Sequence, residues 1–312
     1  MEIRKTMIAN SSNGNPLTAM GEREYIFFKV KYNNFRDVSD EVDLVVRDRE
    51  EMEECECVLY LPKTYTDDGE ETPLIISCHG AGGTVNAEKG TIGGLNYVYH
   101  CMDAGYAVLD VNGAAPHGCT MGCPEHIFAL YKAYRYATRK YNLSHHVLVA
   151  GASMGGHVAM NFTNTFPSIV TAVGLIYPRL HIDSVEVDGH TCIGTFDKAK
   201  IRNGQTTREM VYEFYRFPKD GGFCERNTAG FNPHKSRSMV NEKGERVVFA
   251  PCPIKIWQGD ADETVDPVFV KEYVESVRRS GSFIEFHLLK GVGHKISPIM
   301  REELLMWFNR FI

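Results

Sequence analysis

Short apolar runs recur along the 312-residue chain at spacings that leave room for a helix between most of them. Val, Ile and Leu dominate these runs and alternate little with polar residues, which is typical of strands buried on both faces of a mostly parallel sheet. We predict seven such strands, at residues 57–61, 73–78, 106–111, 146–150, 171–177, 253–257 and 283–289.

Several of the intervening stretches carry the signals of amphipathic helices. Pro124 stands where a first helical turn tolerates proline, and apolar side chains recur from Ile127 to Tyr134 at helical spacing. Ser297 followed by proline predicts the start of a last helix, because serine caps a helix N-terminus and proline fits the first turn. Strands that alternate with such helices predict a doubly wound α/β fold.

The N-terminal part of the chain departs from this alternation. We interpret residues 1–55 as an extension of a single domain that spans residues 1–312. Within the extension we predict short strands at 24–32 and 42–47, and a loose leader over the first thirteen residues.

A long insertion also interrupts the pattern, because about seventy residues follow the predicted strand at 171–177, far more than an ordinary connection. We predict one helix in it, at 206–217, and interpret residues 179–250 as a cap over the carboxyl edge of the sheet, where open α/β folds bind ligands. A surface insertion without function is the alternative.

Charge and composition exclude some classes of partner. The net charge of -6 argues against nucleic acid, since proteins that bind phosphate backbones present a basic face. No apolar run is long enough to span a bilayer, and the first twenty residues lack the apolar stretch of a signal peptide. The nine cysteines are scattered, which favours a reducing compartment. We therefore expect a cytoplasmic protein with no membrane or nucleic-acid partner, and the oligomeric state stays open.

One pentapeptide stands where an apolar strand meets a helix. Gly151-Ala-Ser153-Met154-Gly155 places a serine at a sharp strand-to-helix turn, where the small flanking glycines avoid a clash and the hydroxyl projects from the sheet edge. The first amides of the following helix favour negative charge that develops at the same place. Ser153 is therefore a candidate nucleophile.

A serine hydroxyl needs a base, and that base needs an acid to orient it. His294 lies in a glycine-rich loop between the last predicted strand and the last helix, so we predict that it is the base. A cluster of acids follows the strand at 253–257, and composition alone does not choose among its four members, which are Asp260, Asp262, Glu263 and Asp266.

In this order, Gly151–Gly155, the turn Gly259-x-x-Asp262 and the pair Gly293-His294 resemble the α/β-hydrolase superfamily, in its esterase and prolyl-oligopeptidase-type branch. The resemblance covers residues 58–312 except the insertion. It implies an α/β-hydrolase fold, a Ser153–His294–Asp262 triad and no cofactor.

The same resemblance extends to His79-Gly-Ala81-Gly-Gly83, which matches the H-G-x-G loop of that branch. It implies an oxyanion hole made of the Ala81 and Met154 amides, with His79 supporting the loop rather than reacting. A simple glycine turn is the alternative.

A second group of residues has side chains that could bind a metal ion. Four soft-metal ligands fall within ten residues, and they are His117, Cys119, Cys123 and His126. No second ligand pair follows at the distance that structural zinc sites use, so we expect a loop that lines the edge of the pocket and no metal there.

These observations favour a serine esterase that hydrolyses carboxylic esters through an acyl-enzyme. A peptidase of the prolyl-oligopeptidase type acting on short peptides is the first alternative, and a non-catalytic ligand-binding protein of the same fold is the second. We expect a small-molecule ester substrate, for which the resemblance suggests a carbohydrate-linked ester. The acyl and alcohol groups stay undetermined.

Overall fold

The computed structural model describes residues 2–32, 53–113, 118, 120–182, 186–187, 190–191, 209, 214–215 and 230–312. Their framework is a nine-stranded sheet. The strands of this sheet are β1 (Ile3–Ile8), β2 (Glu22–Tyr32), β3 (Glu53–Tyr60), β4 (Leu74–Cys78), β7 (Ala107–Val111), β8 (Val147–Ala152), β9 (Val170–Ile176), β14 (Ile254–Gly259) and β15 (Ile284–Leu289). Three small two-stranded ladders lie outside it, and they pair β5 (Val85–Asn86) with β6 (Thr91–Ile92), β10 (Glu186–Val187) with β11 (His190–Thr191), and β12 (Ser238–Val240) with β13 (Arg246–Val248).

The order of the strands is β1-β2-β3-β7-β4-β8-β9-β14-β15. The ladders from β7 through β15 are parallel, whereas β1, β2 and β3 join the sheet through antiparallel ladders. The prediction of a mostly parallel, doubly wound sheet is confirmed, and all seven predicted strands belong to it with small differences at their ends.

Five described helices pack on the two faces of the sheet: α1 (Tyr99–Asp103), α2 (Pro124–Lys140), α3 (Met154–Thr165), α4 (Pro267–Arg279) and α5 (Pro298–Phe308). One core layer joins the sheet to α2, α3 and α4, and the other joins it to α1 and α5. Alternation along β4 illustrates the division, because Leu74 and Ile76 face the first layer and Ile75 the second. Strands covered on both faces explain why the runs are apolar throughout.

The interpretation of the first thirteen residues as a loose leader is wrong. Ile3–Ile8 is strand β1, paired with β2 at the edge of the main sheet, and the chain then turns so that Leu17 N–H donates to Ala9 O at 2.8 Å. An edge strand buries little, so β1 lacks the apolar run that marked the central strands. The strand predicted at 24–32 is confirmed as β2, and the one predicted at 42–47 lies outside the described residues.

Most of the insertion also lies outside the described residues, including nearly all of the predicted helix at 206–217. Within the described part, Tyr215 is fully buried in the core layer of α2 and α3, and its hydroxyl donates to Met121 O at 2.8 Å. This side chain therefore belongs to the core of the domain. No helix among the residues placed in the structure is long and apolar enough to cross a bilayer.

Candidate active site

Ser153 occupies a strained turn between β8 and α3. Its backbone has φ 55° and ψ -120°, a conformation that a non-glycine residue adopts only where the surrounding structure enforces it. The turn has no room for larger neighbours, because a Cβ atom on Gly155 would lie 1.8 Å from Cys78 O and one on Gly151 would lie 2.3 Å from Gly155 O. These short distances explain why both residues that flank the Ser153 turn are glycines.

The three side chains predicted to form a triad lie in one hydrogen-bonded line. Ser153 Oγ is 3.0 Å from His294 Nε2, and His294 Nδ1 is 2.8 Å from Asp262 Oδ2. Because a carboxylate only accepts, the Nδ1–H of His294 donates to Asp262, which leaves Nε2 as the acceptor for the serine hydroxyl. This is the tautomer that a general base requires.

Asp262 is the only one of the four competing acids that reaches His294 in these contacts. Asp260 Oδ1 accepts from Gly291 N–H at 2.6 Å, Asp266 caps α4 by accepting from Val268 N–H at 3.0 Å, and Glu263 is exposed. The structure thus separates the acid beside the histidine from a loop brace, a helix cap and a surface residue.

The carboxylate of Asp262 is buried and held by several donors. Oδ1 accepts from the amides of Thr264 at 2.9 Å and Val265 at 2.8 Å, and Oδ2 accepts from Gln258 Nε2 at 3.2 Å. Burial works against ionisation, but the hydrogen bonds from His294 and the two amides outweigh it, so the pKa of Asp262 lies below its ordinary value. The acid therefore stays charged at neutral pH.

The loops that carry the acid and the histidine are packed together. Ala261 N–H donates to Val292 O at 3.1 Å, and a Cβ atom on Gly259 would lie 2.0 Å from the same oxygen. Glycine at 259 therefore permits the approach that brings Asp262 to His294, which are separated by thirty-two positions in the chain.

Tyr177 is a neighbour of the site that sequence reasoning treated only as the end of a strand. Its ring lies 4.2 Å from the His294 ring, centroid to centroid, and limits the movement of the imidazole. Its φ of 36° lies in the left-handed region, and its N–H donates to Trp257 O at 2.7 Å. A tyrosine with positive φ carries no signal in a single sequence, so the role was not predictable.

His79 and Asp110 form a buried pair beneath the glycine-rich loop. His79 Nδ1 lies 3.1 Å from both carboxylate oxygens, and its Nε2 lies 3.0 Å from Gly118 O. Burial alone would lower the pKa of His79, but Asp110 and the carbonyl outweigh it and raise the pKa. Asp110 also accepts from Gly94 N–H at 2.5 Å. These contacts fit the expected supporting role of His79, and Asp110 was missed although an acid within the apolar run of β7 was visible.

The two residues expected to supply oxyanion donors lie on either side of the turn at Ser153. Met154 is the first residue of α3, whose first amides have no acceptor within the helix. Ala81 lies in the loop closed by the hydrogen bond from Gly83 N–H to Gly80 O at 2.8 Å. A Cβ atom on Gly80 would lie 3.5 Å from Ser153 Cβ, so this loop runs directly past Ser153.

A cavity of about 410 Å³ opens above these groups. Its wall includes the hydroxyl residues Ser11 and Ser12 from the turn after β1, together with Asn96, so the supposed leader contributes to the site. Ser12 Oγ accepts from Thr84 N–H at 3.1 Å, which ties the turn to the segment after the glycine-rich loop. The volume suits a small organic ligand.

Two of the four possible soft-metal ligands, Cys123 and His126, are among the described residues, whereas His117 and Cys119 lie outside them. Cys123 and His126 are both buried, and His126 Nδ1 lies 2.6 Å from Thr120 Oγ1. Burial lowers the pKa of His126 to about 3, so the imidazole is neutral. The described part of this segment is buried, and its expected position at the pocket edge stays a prediction.

A scan against protein-family models found no match to the sequence, and a search of curated proteins found none either. Solved structures do match. One of two fungal esterases from Rhizomucor miehei superposes with a TM-score of 0.59 at 16% identity, over 95% of this chain and 84% of that one. A lipase/esterase from Lactobacillus plantarum gives 0.55 at 16% identity, over 91% and 97%.

A puromycin-hydrolysing peptidase from Mycobacterium tuberculosis gives a TM-score of 0.58 at 14% identity, over 83% of this chain. The present chain spans between 36% and 42% of the length of the peptidase and puromycin-hydrolase structures among these similar chains. The similarities show that the protein has the α/β-hydrolase fold, and at such identities they show the fold alone.

Proposed function

We propose that the protein is a serine hydrolase that cleaves carboxylic esters. The observation that carries this proposal is the hydrogen-bonded line from Ser153 Oγ through His294 to Asp262, with distances of 3.0 Å and 2.8 Å. A serine at a strained turn, within reach of an oriented imidazole, is the arrangement that activates a hydroxyl for attack on an acyl carbon.

In the first half of the reaction, His294 Nε2 takes the proton of Ser153 as Oγ attacks the ester carbonyl. The imidazolium that forms is stabilised by the buried Asp262 carboxylate. When the tetrahedral intermediate collapses, His294 returns the proton to the alcohol that leaves, and the acyl group stays on Ser153. A water molecule, deprotonated by the same imidazole, then attacks the acyl-enzyme and releases the acid.

The negative charge on the tetrahedral oxygen requires donors that are already in place. We assign these to the amides of Met154 and Ala81, because α3 begins at Met154 and the loop of Ala81 passes beside Ser153. Removal of one such donor in a serine hydrolase costs about 10²–10³ in kcat. Both ring nitrogens of His79 are engaged by Asp110 and Gly118 O, so we assign this buried pair to holding the loop in place.

The cavity supports a small substrate with polar groups. Ser11, Ser12 and Asn96 place hydroxyl and amide groups on its wall, and Tyr177 supplies an aromatic surface beside His294. An ester whose alcohol or acyl part carries hydroxyl groups, such as a carbohydrate-linked ester, would match this wall better than a long alkyl chain.

A peptidase acting on short peptides is the second candidate, and the fold similarity to puromycin-hydrolysing peptidases favours it. The same triad would serve, since ester and amide cleavage share the acyl-enzyme. Comparing kcat/KM for an ester with that for the amide of the same acyl group separates the two candidates.

The proposed function is tested by a product burst with an activated acyl ester. The native protein should release about one equivalent of leaving group per chain before steady turnover, and Ser153→Ala should lose around 10⁶ in turnover, as triad removal does in a characterised serine hydrolase. Ser168→Ala, at an exposed serine between α3 and β9, is the matched control and should keep the burst. Retention of more than a few per cent of activity by a folded Ser153→Ala would sink the assignment, as would a native protein that binds the ester without cleaving it.

A further inference from the structure

A second cluster of chemically reactive side chains lies outside the triad. His181, His234 and Glu272 bring one ligand atom each into a group in which all atoms lie within 4.8 Å of one another. His181 lies near the start of the long segment between β9 and β12, His234 lies near its end, and Glu272 is on α4. The cluster therefore joins three parts of the chain.

The donor set selects among metal ions. Two imidazole nitrogens and one carboxylate oxygen suit Zn²⁺, whereas Ca²⁺ and Mg²⁺ prefer oxygen ligands only. Ligand atoms around a tetrahedral Zn²⁺ lie about 3.4 Å apart, since its bonds to nitrogen and oxygen are about 2.0–2.2 Å long. His181 Nε2 and Glu272 Oε2 are 3.6 Å apart, close to that separation.

The third ligand atom, His234 Nε2, approaches the same Glu272 oxygen, Oε2, as His181 Nε2 does. His234 Nε2 is in direct hydrogen-bond contact with Glu272 Oε2, and the rings of His181 and His234 lie 4.0 Å apart at 34°. The Glu272 side chain is 26% exposed, so it has room to turn when an ion enters between it and His234. A carboxylate that faces two imidazoles at once is the arrangement of a three-ligand site with one position left for water.

The two histidines of the cluster are largely buried, unlike the side chains of a surface cluster. The His181 side chain is 1% exposed and the His234 side chain 18%. The Phe269 ring, one turn before Glu272 on α4, packs edge-on against His181 at 5.8 Å. The imidazole of His181 is therefore fixed by packing, and its position does not depend on an ion being present.

We propose that His181, His234 and Glu272 bind one Zn²⁺ ion, with water as the fourth ligand. The ion would link His181 and His234, near the two ends of the long segment, to Glu272 on α4. It would take no part in ester cleavage. The link to the active site is indirect, because Arg179, two residues before His181, donates its N–H to Ser153 O at 2.9 Å.

The test measures zinc itself. Protein stripped with a chelator and then dialysed against Zn²⁺ should retain one ion per chain, and its melting temperature should rise with the logarithm of the Zn²⁺ concentration. His234→Gln and Glu272→Gln should each weaken Zn²⁺ binding by at least roughly 100-fold, since loss of an outer-shell partner alone costs 10–100-fold. His287→Gln is the matched control, because His287 Nδ1 contacts Glu303 at 3.0 Å without a second histidine, and it should bind zinc like the native protein.

Cobalt substitution tests the zinc site in the native protein and therefore does not depend on a variant that folds. Co²⁺ added to the native protein should give the visible absorption of a tetrahedral site with nitrogen and oxygen ligands and no thiolate charge-transfer band. No retained zinc in the native protein would overturn the proposal, and so would a thiolate band, which would place the metal on cysteines. Unchanged zinc retention in folded His234→Gln and Glu272→Gln would overturn it as well.

Discussion

Asp262→Asn is the substitution that tests the geometry of the site most directly. The amide keeps the size of the carboxylate, but only one of its two terminal atoms accepts hydrogen bonds. Oδ1 faces the amides of Thr264 and Val265, at 2.9 Å and 2.8 Å, so the oxygen of asparagine should stay there. The NH₂ group then takes the place of Oδ2, which is the nearer of the two oxygens to His294 Nδ1, at 2.8 Å against 3.1 Å for Oδ1.

An NH₂ group at that position donates to Nδ1 and moves the imidazole proton to Nε2, so His294 no longer accepts the proton of Ser153. In another serine hydrolase the same exchange lowers kcat by about 10⁴, which corresponds to about 5.5 kcal/mol of transition-state stabilisation. We expect a loss of this size here, with KM little changed, because the acid does not touch the substrate.

The assay is steady-state hydrolysis of an activated acetyl ester, together with thermal unfolding to show that the variant is folded. Asp260→Asn and Glu263→Gln are the matched controls and should retain most of their kcat, since neither side chain faces His294. A folded Asp262→Asn with more than about a tenth of the native kcat would refute the tautomer argument.

The pH dependence of stability provides an independent check on Asp262. Its pKa in the folded protein lies below the unfolded value of about 3.9, so its contribution to stability is present above that unfolded value and is lost as the pH falls through the folded one. The difference in unfolding free energy between the native protein and Asp262→Asn should therefore be constant near neutral pH and shrink below about pH 4. A difference that grows on acidification would contradict the sign.

Three further substitutions probe the surroundings of the triad. Asp110→Asn breaks the buried pair with His79 and should lower the free energy of unfolding, measured in urea, by about 3 kcal/mol or more. A loss below about 1 kcal/mol would mean that the pair contributes little to stability. Ser11→Phe narrows the cavity and should lower kcat/KM for a bulky acyl ester at least about tenfold more than for an acetyl ester. Equal losses on the two esters would mean that the turn after β1 does not contact the substrate. Tyr215→Ala empties a buried position and should cost about 3–5 kcal/mol of stability, with parallel activity losses on short and long esters. A selective change in chain-length preference would place this residue in the substrate pocket.

The sequence alone was enough for the features that depend on local patterning. Apolar runs and helix signals predicted the parallel strands and the helices from Pro124 and Ser297, because burial on two faces and capping both act on neighbouring residues. The turn at Ser153 was recognisable for the same reason, since its glycines stand next to it in the chain.

Only the tertiary structure decided what depends on distant residues meeting. It placed β1 in the main sheet and the turn after it in the cavity wall, although an edge strand leaves almost no apolar signal. The residues alone left four acids open and the family resemblance implied Asp262, to which the structure adds the contact with His294. It also paired His79 with Asp110 and gathered His181, His234 and Glu272, whose side chains come from separate elements. Local patterning reports which face of an element is buried, but the partners that lie across that face are set by the packing of the whole chain.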